Sequence, residues 1–121
     1  MNSMEPIRLG IIGLGKMGGN IALQAVDKGI SVVGKARSQK PELEQRGVKI
    51  VDDYESFASV LQAPRIIYLS LPAGSTIDGV LQDLLPCLEK GDVVMDGGNS
   101  FYKDSIRREK EIYEKGIFFL D

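Results

Sequence analysis

The sequence contains no histidine and no tryptophan, and its single cysteine is Cys87. Without histidine, the chain cannot form a Ser-His-Asp triad, a Cys-His pair or a histidine-ligated metal site from its own residues. One cysteine cannot form an intramolecular disulfide, which agrees with a reducing compartment. We therefore expect no metal site, and we predict a cytoplasmic location.

Strong net charge and long apolar runs are also missing. The net charge is −2 over 121 residues, so electrostatics favour neither nucleic acid nor an anionic membrane as a partner. No apolar run approaches the roughly 20 residues that span a bilayer, and the first ten residues contain no signal-peptide core. Residues 1–121 are predicted to form one domain, and the end at Asp121, directly after a predicted strand, suggests a fragment of a larger protein.

Apolar runs alternate with helical patterns along the chain, which predicts a three-layer α/β fold of the doubly wound, Rossmann type with a parallel sheet. The predicted strands are Ile7–Ile12, Ser31–Lys35, Val48–Val51, Arg65–Ser70, Asp92–Asp96 and Ile117–Leu120. The predicted helices are Met17–Lys28, Pro41–Arg46, Tyr54–Leu61, Ile77–Leu88 and Tyr102–Lys115.

Two details of these helices are open to direct comparison with a structure. In the last helix we expect Ile106 and Tyr113 to be buried, and Arg107 and Arg108 to belong to a solvated, charged face. Asp52 and Asp53 precede the third helix, where they are expected to act as N-caps and not as a catalytic pair.

A glycine-rich turn follows the first predicted strand. The segment Gly13-Leu14-Gly15-Lys16-Met17-Gly18 fits the pattern G-x-G-x-x-G. In such a turn the first glycine permits the sharp bend, the second lets a pyrophosphate approach the backbone, and the third allows the helix to pack closely on the strand. Because the motif lies between a strand and a helix, dinucleotide binding is favoured over a purely structural turn.

The end of the second strand lacks the acid that usually accepts hydrogen bonds from the adenosine ribose. That position is Ala36, and it is followed by Arg37 and Ser38. Arg37 can hold a phosphate with its planar guanidinium group, and Ser38 can donate a hydroxyl, so the segment predicts NADP in preference to NAD. For Lys35 and Lys40, a phosphate contact and a solvated loop position are equally compatible with the pattern.

The segment Met95–Arg108, MDGGNSFYKDSIRR, begins where a strand ends, and doubly wound folds place ligands at such ends. Asn99 either contacts a ligand or caps the following helix, and the residues alone leave both alternatives open.

Three segments resemble the N-terminal domain of the 6-phosphogluconate dehydrogenase family: IRLGIIGLGKMGGNIA, LPAGSTID and GDVVMDGGNSFYKDSIRR with the later KGIFFLD. The likeness runs in order from Ile7 to Asp121. It implies that Gly13, Gly15 and Gly18 hold the pyrophosphate of NADP, with Leu14, Lys16 and Met17 lining the turn.

The resemblance also implies roles for the other strand ends. Ala36-Arg37-Ser38 lies where NADP-using members carry Asn-Arg-Thr, and Ala36 departs from that pattern. Leu71, Pro72 and Ala73 would lie on the nicotinamide side, where many members have Val-Lys-Ala. Asn99 would contact both the nicotinamide ribose and the substrate, 6-phosphogluconate.

In that family a hydride passes from C3 of 6-phosphogluconate to NADP, and carbon dioxide is then lost to give ribulose 5-phosphate, in the pentose phosphate pathway of gluconate metabolism. The catalytic lysine and glutamate, a Ser-Gly-Gly substrate segment and a helical dimerisation domain would all lie beyond Asp121. The resemblance therefore implies no catalytic residue in this chain, an isolated chain without activity, and a parent protein that is a homodimer or higher oligomer.

Two other functions are compatible with a glycine turn of this kind. One is a stand-alone nucleotide-sensing module, which usually keeps the ribose-binding acid that is missing at Ala36. The other is a domain of a related beta-hydroxyacid dehydrogenase, which usually lacks the pair of glycines before Asn99.

Overall fold

The computed structural model describes residues 7–71, 75–97 and 102–120. Within these ranges the strands are β1 (Arg8–Ile12), β2 (Ser31–Lys35), β3 (Lys49–Val51), β4 (Ile66–Leu69), β5 (Val93–Asp96) and β6 (Phe118–Leu120). The helices are α1 (Lys16–Asp27), α2 (Pro41–Gln45), α3 (Tyr54–Leu61), α4 (Ser75–Leu84) and α5 (Tyr102–Tyr113), and a 3₁₀ turn, Leu85–Cys87, follows α4.

The strands form one parallel sheet in the order β3-β2-β1-β4-β5-β6. The strand order reverses between β1 and β4, so the chain winds first toward one edge of the sheet and then toward the other. In sheets of this kind a crevice opens at the reversal, outside the carboxyl ends of the strands. The predicted doubly wound α/β fold is confirmed, and each predicted strand is found within one residue of its predicted limits.

Two apolar layers cover the faces of the sheet. Successive strand residues point to opposite faces, and accordingly Ile11 and Val32 belong to the cluster under α1 and α2, whereas Ile12 and Val33 belong to the cluster under α3, α4 and α5. Burial of these side chains on both faces is the main stabilising contribution to the three-layer arrangement.

Helix α4 ends earlier than its apolar stripe predicts. The stripe continues to Leu88, but the helix ends at Leu84 and becomes a 3₁₀ turn that contains Pro86. Proline has no N–H to donate to the preceding turn, so the α-helical hydrogen bonding stops there.

The buried face of α5 differs from the prediction. Ile106 and Tyr113 are 62% and 65% exposed, and the prediction that they are buried is wrong. The charged-face prediction is also wrong for Arg108, which is 1% exposed. Its Nε donates to Asp78 Oδ1 at 2.8 Å and its Nη2 donates to Asp78 Oδ2 at 3.2 Å, so a carboxylate on α4 receives a guanidinium group from α5.

Asp92 forms a second ion pair, at the opposite, amino-terminal end of the sheet. Its side chain is fully buried, and it accepts from the Arg65 backbone N–H at 2.7 Å and from Arg65 Nη1 at 2.9 Å. The Glu89 N–H donates to the same carboxylate at 2.8 Å. These bonds connect the beginnings of β4 and β5. No helix in the described ranges has the length and apolar character needed to cross a membrane.

Candidate functional site

The glycine turn connects β1 to α1 at the reversal of the strand order. Gly13 has φ +97°, a conformation that side chains rarely adopt, and a Cβ there would overlap the carbonyl oxygen of Ser70 at the end of β4. A Cβ at Gly18 would overlap the carbonyl oxygen of Gly13. Packing of the protein on itself is therefore sufficient to explain why both positions are glycine.

Gly15 has no comparable structural requirement. Its φ is −71°, which any residue can adopt, and a Cβ built at this position has no other atom within 4 Å. The side chain that is missing at Gly15 would point into open space above the turn. A ligand that lies against the backbone would explain the glycine at position 15, and neither strain nor packing does.

The open space lies at the amino terminus of α1. Gly15 is the N-cap residue, and within the described residues no side chain caps this end and the first turn contains no acid. The first N–H groups of a helix have no partner within the helix, and together with the helix dipole they favour an anion. The turn is therefore suited to binding a phosphate or diphosphate group.

The three other residues of the turn have different environments. Leu14 is buried, and a Cβ at Gly34 in β2 would lie 2.6 Å from its Cδ1, so its side chain belongs to the core. Lys16 is exposed, and Met17 is 63% exposed. Leu14 thus anchors the turn to the core, whereas Lys16 and Met17 are accessible to a ligand.

Arg37 and Ser38 lie together in a cavity of about 370 Å³ at the carboxyl ends of β2 and β3. Ala36 also lines it, and the Ala36 N–H donates to the Val51 carbonyl at 3.0 Å, which holds the two strand ends together. The structure therefore brings together the three residues predicted to recognise the adenosine end of a dinucleotide.

The neighbouring lysines do not line this cavity. The Nζ atom of Lys35 lies 4.5 Å from the centre of the Tyr54 ring, a cation–π contact on the α3 side of the sheet. Lys40 lines a second cavity of about 570 Å³, between the start of α1 and α2. For Lys35 the structure thus shows a contact with Tyr54 on the α3 side of the sheet.

The second cavity extends along the glycine turn. Gly15 and Lys16 contribute to its wall, and Gln39 lines both cavities. The two cavities are therefore neighbours that share Gln39 as a lining residue. One lies at the amino terminus of α1 and the other at Arg37, and we refer to the pair as the depression.

Carboxylates are the residues of this cavity that the sequence reasoning did not assign to the site. Asp52, Asp53 and Glu44 line the Arg37 cavity. The predicted capping role is confirmed for Asp53, which accepts from the Ser56 N–H at 2.7 Å and from Ser56 Oγ at 3.0 Å. The pKa of Asp53 is lowered, chiefly by the bond from the Ser56 backbone N–H. Asp52 is not the N-cap of α3, so that part of the prediction is wrong.

The nicotinamide side of the predicted site is described in part. Leu71 is half-buried, and its Cδ2 would lie 3.1 Å from a Cβ at Gly13, so the segment after β4 passes beside the glycine turn. Pro72, Ala73 and Asn99 lie outside the described residues. Among the residues that are described, no group of three or more His, Cys, Asp or Glu side chains has the arrangement of a metal site.

Comparison with known proteins identifies the family to which this site belongs. Residues 8–121 match the family model described as the NAD binding domain of 6-phosphogluconate dehydrogenase. The chain belongs to this family. The match covers the sheet, the glycine turn and the Arg37 cavity, which confirms the resemblance inferred from the sequence.

Relatives of known activity include enzymes named for either cofactor. The NADP(+)-dependent decarboxylating 6-phosphogluconate dehydrogenase of Bacillus subtilis is 42% identical over 97% of this chain and 26% of its own length. The NAD(+)-dependent enzyme of the same organism is 46% identical over 93% of this chain and 25% of its own length. The chain thus spans about a quarter of these relatives, and identity alone does not separate the two cofactors.

A solved structure of the family has the same fold. The 6-phosphogluconate dehydrogenase of Plasmodium falciparum, studied in its apo form and in complexes with NADP+ and with 6-phosphogluconate, superposes with a TM-score of 0.85. It is 32% identical, and the match covers 94% of this chain and 26% of that protein.

Proposed function

We propose that this chain is the NADP-binding domain of a decarboxylating 6-phosphogluconate dehydrogenase. The observation that supports this most directly is the open space at Gly15. Packing explains why Gly13 and Gly18 are glycine, but a bound ligand is needed to explain why position 15 is glycine. Family membership favours this function over a nucleotide sensor. It also favours this function over a related beta-hydroxyacid dehydrogenase.

The residues present fit NADP along the whole depression. The backbone from Gly15 to Gly18, at the amino terminus of α1, would hold the pyrophosphate, and the Arg37 cavity would hold the adenosine end. Arg37 and Ser38 would bind the 2′-phosphate, and Gln39 would lie between the two parts. Leu71, Pro72, Ala73 and Asn99 remain our proposed contacts on the nicotinamide side.

NADP, when bound, would accept the hydride released from 6-phosphogluconate. This chain's own residues would bind the dinucleotide and fix the direction in which the nicotinamide faces, with Asn99 as the proposed contact to the substrate. Three quarters of each relative lies outside the matched region, and we propose that the catalytic lysine and glutamate and the helical, dimer-forming domain of the parent enzyme lie there. We further propose that the parent acts in the cytoplasm, in the pentose phosphate pathway.

Calorimetric titration with NADP and NAD tests the assignment of the adenosine end. Arg37→Ala should weaken NADP binding roughly ten- to hundredfold, because a charge-assisted contact to phosphate contributes about 1.5–3 kcal/mol. Affinity for NAD, which has no 2′-phosphate, should change much less.

Lys35→Met is the matched control for that experiment. It removes one positive charge two residues before Arg37, but the Lys35 ammonium group lies over the Tyr54 ring and Lys35 does not line the cavity. NADP affinity should therefore stay within about twofold, as expected for a screened surface charge. Equal losses in Arg37→Ala and Lys35→Met would show that net charge, and not a 2′-phosphate contact, governs binding.

A further inference from the structure

The register of the sheet places an acid beside the position that lacks one. β2 and β3 are parallel, and their last paired residues are Lys35 and Val51. The next residues along the two strands are Ala36 and Asp52, and the Ala36 N–H still bonds to the Val51 carbonyl. Adjacent strands lie about 4.8 Å apart. The carboxylate that is missing from the end of β2 is therefore present one strand further along.

Side-chain direction supports the same pairing. Lys35 and Val51 face α3, since Lys35 contacts Tyr54 and Val51 packs on the cluster under that helix. Because strand residues alternate between faces, the next pair, Ala36 and Asp52, faces the other way. Both residues line the Arg37 cavity.

The charge balance of the cavity is also unusual for a site that accepts an additional phosphate. Among its described lining residues Arg37 is the one cation, whereas Glu44, Asp52 and Asp53 are acids. Asp53 is engaged in capping α3 through Ser56, and Glu44 belongs to α2. Asp52 is the carboxylate that follows β3 at the level at which Ala36 follows β2.

We infer that Asp52 acts as the ribose-side carboxylate of this site and limits the preference of the chain for NADP over NAD. This inference rests on the proposed function. A carboxylate next to Ala36 accepts hydrogen bonds from the ribose hydroxyls of NAD and repels the 2′-phosphate of NADP, while Arg37 attracts that phosphate from the same cavity. The two residues have opposite effects on the preference for NADP over NAD. Asp52 is therefore a specificity determinant that lies outside both the G-x-G-x-x-G motif and the Arg37 segment.

The size of the effect follows from Coulomb's law. A carboxylate about 7 Å from a phosphate of charge about −2, at an effective dielectric constant of about 40 and with physiological salt screening, disfavours NADP roughly fivefold. Asp52→Asn keeps the shape of the side chain and removes its charge. The ratio of the NAD dissociation constant to the NADP dissociation constant should therefore rise about fivefold, and the rise should be larger at low salt.

The experiment is a calorimetric titration of the 121-residue chain and of Asp52→Asn with NADP and with NAD, at two salt concentrations. Glu109→Gln is the matched control, because it removes one negative charge from an exposed position on α5, which packs beside β6 at the opposite edge of the sheet. For Glu109→Gln, the ratio of the NAD dissociation constant to the NADP dissociation constant should equal that of the unmodified chain. Thermal unfolding of each variant checks that folding is unchanged.

The possible outcomes separate the inference from the proposed function. A ratio that rises in Asp52→Asn alone supports the inference. An unchanged ratio, or equal weakening of NADP and NAD, overturns it, since Asp52 would then be remote or would hold the adenine common to both. If neither dinucleotide binds the unmodified chain, the proposed function itself fails. An equal rise in Glu109→Gln would also overturn the inference, because it would reduce the effect to net charge.

Discussion

Replacing Gly15 and Gly18 by alanine should separate the ligand from the fold as causes of the glycine motif. A methyl group at Gly15 meets no atom within 4 Å, whereas a methyl group at Gly18 overlaps the Gly13 carbonyl oxygen. The two substitutions add the same atoms at positions three residues apart. Gly15→Ala should therefore weaken NADP binding with little change in stability, whereas Gly18→Ala should destabilise the fold.

The magnitudes follow from these environments. For Gly15→Ala, the restriction of the unfolded chain stabilises by about 0.4–1 kcal/mol. Alanine is the poorer N-cap, by about 0.5–1 kcal/mol, so the free energy of unfolding should change by less than about 1 kcal/mol. For Gly18→Ala, the backbone of α1 must move away from Gly13. Overpacking typically costs about 1–3 kcal/mol, and we expect a loss at the upper end of this range because the overlap is with a backbone atom. Such a loss is a large part of the roughly 5–15 kcal/mol that stabilises a typical domain.

Urea unfolding measures the stability of each variant, and calorimetric titration measures its affinity for NADP. Gly15→Ala should unfold at nearly the same urea concentration as the unmodified chain. Its affinity for NADP should fall roughly ten- to hundredfold, because the methyl group displaces the pyrophosphate from charge-assisted N–H contacts. Gly18→Ala should unfold at a much lower urea concentration.

Two results would refute this reasoning. If Gly15→Ala destabilises the chain as much as Gly18→Ala, the fold and not a ligand requires glycine at position 15. If Gly15→Ala binds NADP with unchanged affinity, the pyrophosphate does not pass over this residue. The two cavities would then need a different occupant.

Two further predictions concern Asp92 and Asp78, the carboxylates that pair with the buried side chains of Arg65 and Arg108. Asp92→Asn should lower the free energy of unfolding by about 3 kcal/mol, because it removes the buried charge partner of Arg65 and leaves only the exposed carboxylate of Glu89 as its ion pair among the described residues. Arg46→Gln, which breaks the exposed pair with Asp27, should cost less than about 1 kcal/mol in urea unfolding. Similar losses in the two variants would contradict this reasoning. The pKa of Asp78 is lowered, chiefly by its hydrogen bond from Arg108, so its contribution is present above the unfolded pKa of about 3.9 and is lost as the pH falls through the lower folded value. The stability difference between the unmodified chain and Asp78→Asn should therefore shrink below about pH 4 in urea unfolding, and a difference that is independent of pH would refute the assignment.

The glycine turn and the Arg37 segment could be predicted because their requirements are local. A strand, a sharp turn and a helix follow one another in sequence, and the spacing of Gly13, Gly15 and Gly18 expresses the geometry of that connection. Arg37 and Ser38 follow the second strand by the same reasoning, since strand ends in this fold face the ligand. The structure adds which glycines are required by packing, a distinction that the sequence pattern does not contain.

The position of Asp52 could not be inferred in this way because strand register is a tertiary property. Asp52 and Asp53 look alike in sequence, and each can cap the helix that follows. Only the pairing of Lys35 with Val51 shows that Asp52 lies beside Ala36. The alternation of faces in β2 was an available signal for the lysine, since it places Lys35 on the side opposite Ala36 and away from a phosphate.

The errors on α5 have a related cause. An apolar residue favours the buried face of a helix and an arginine favours the exposed face, unless a carboxylate pairs with the buried arginine. For Arg108 that carboxylate is Asp78, which is 30 residues away in sequence and belongs to a different helix. The pairing reverses the expected orientation and leaves Ile106 and Tyr113 outward, where the Tyr113 ring lies 6.2 Å from the Phe118 ring.

These observations imply that the two ends of the site are constrained differently. At the glycine turn, Gly13 and Gly18 support the contact between β1, α1 and the end of β4, so a change there alters the fold itself. At the other end, Arg37 and Asp52 are exposed side chains that line an open cavity, so either can be replaced without disturbing the core. On our proposal, cofactor preference in this chain would depend on the residues at these strand ends, and such a change could leave the glycine turn and the rest of the fold unaltered.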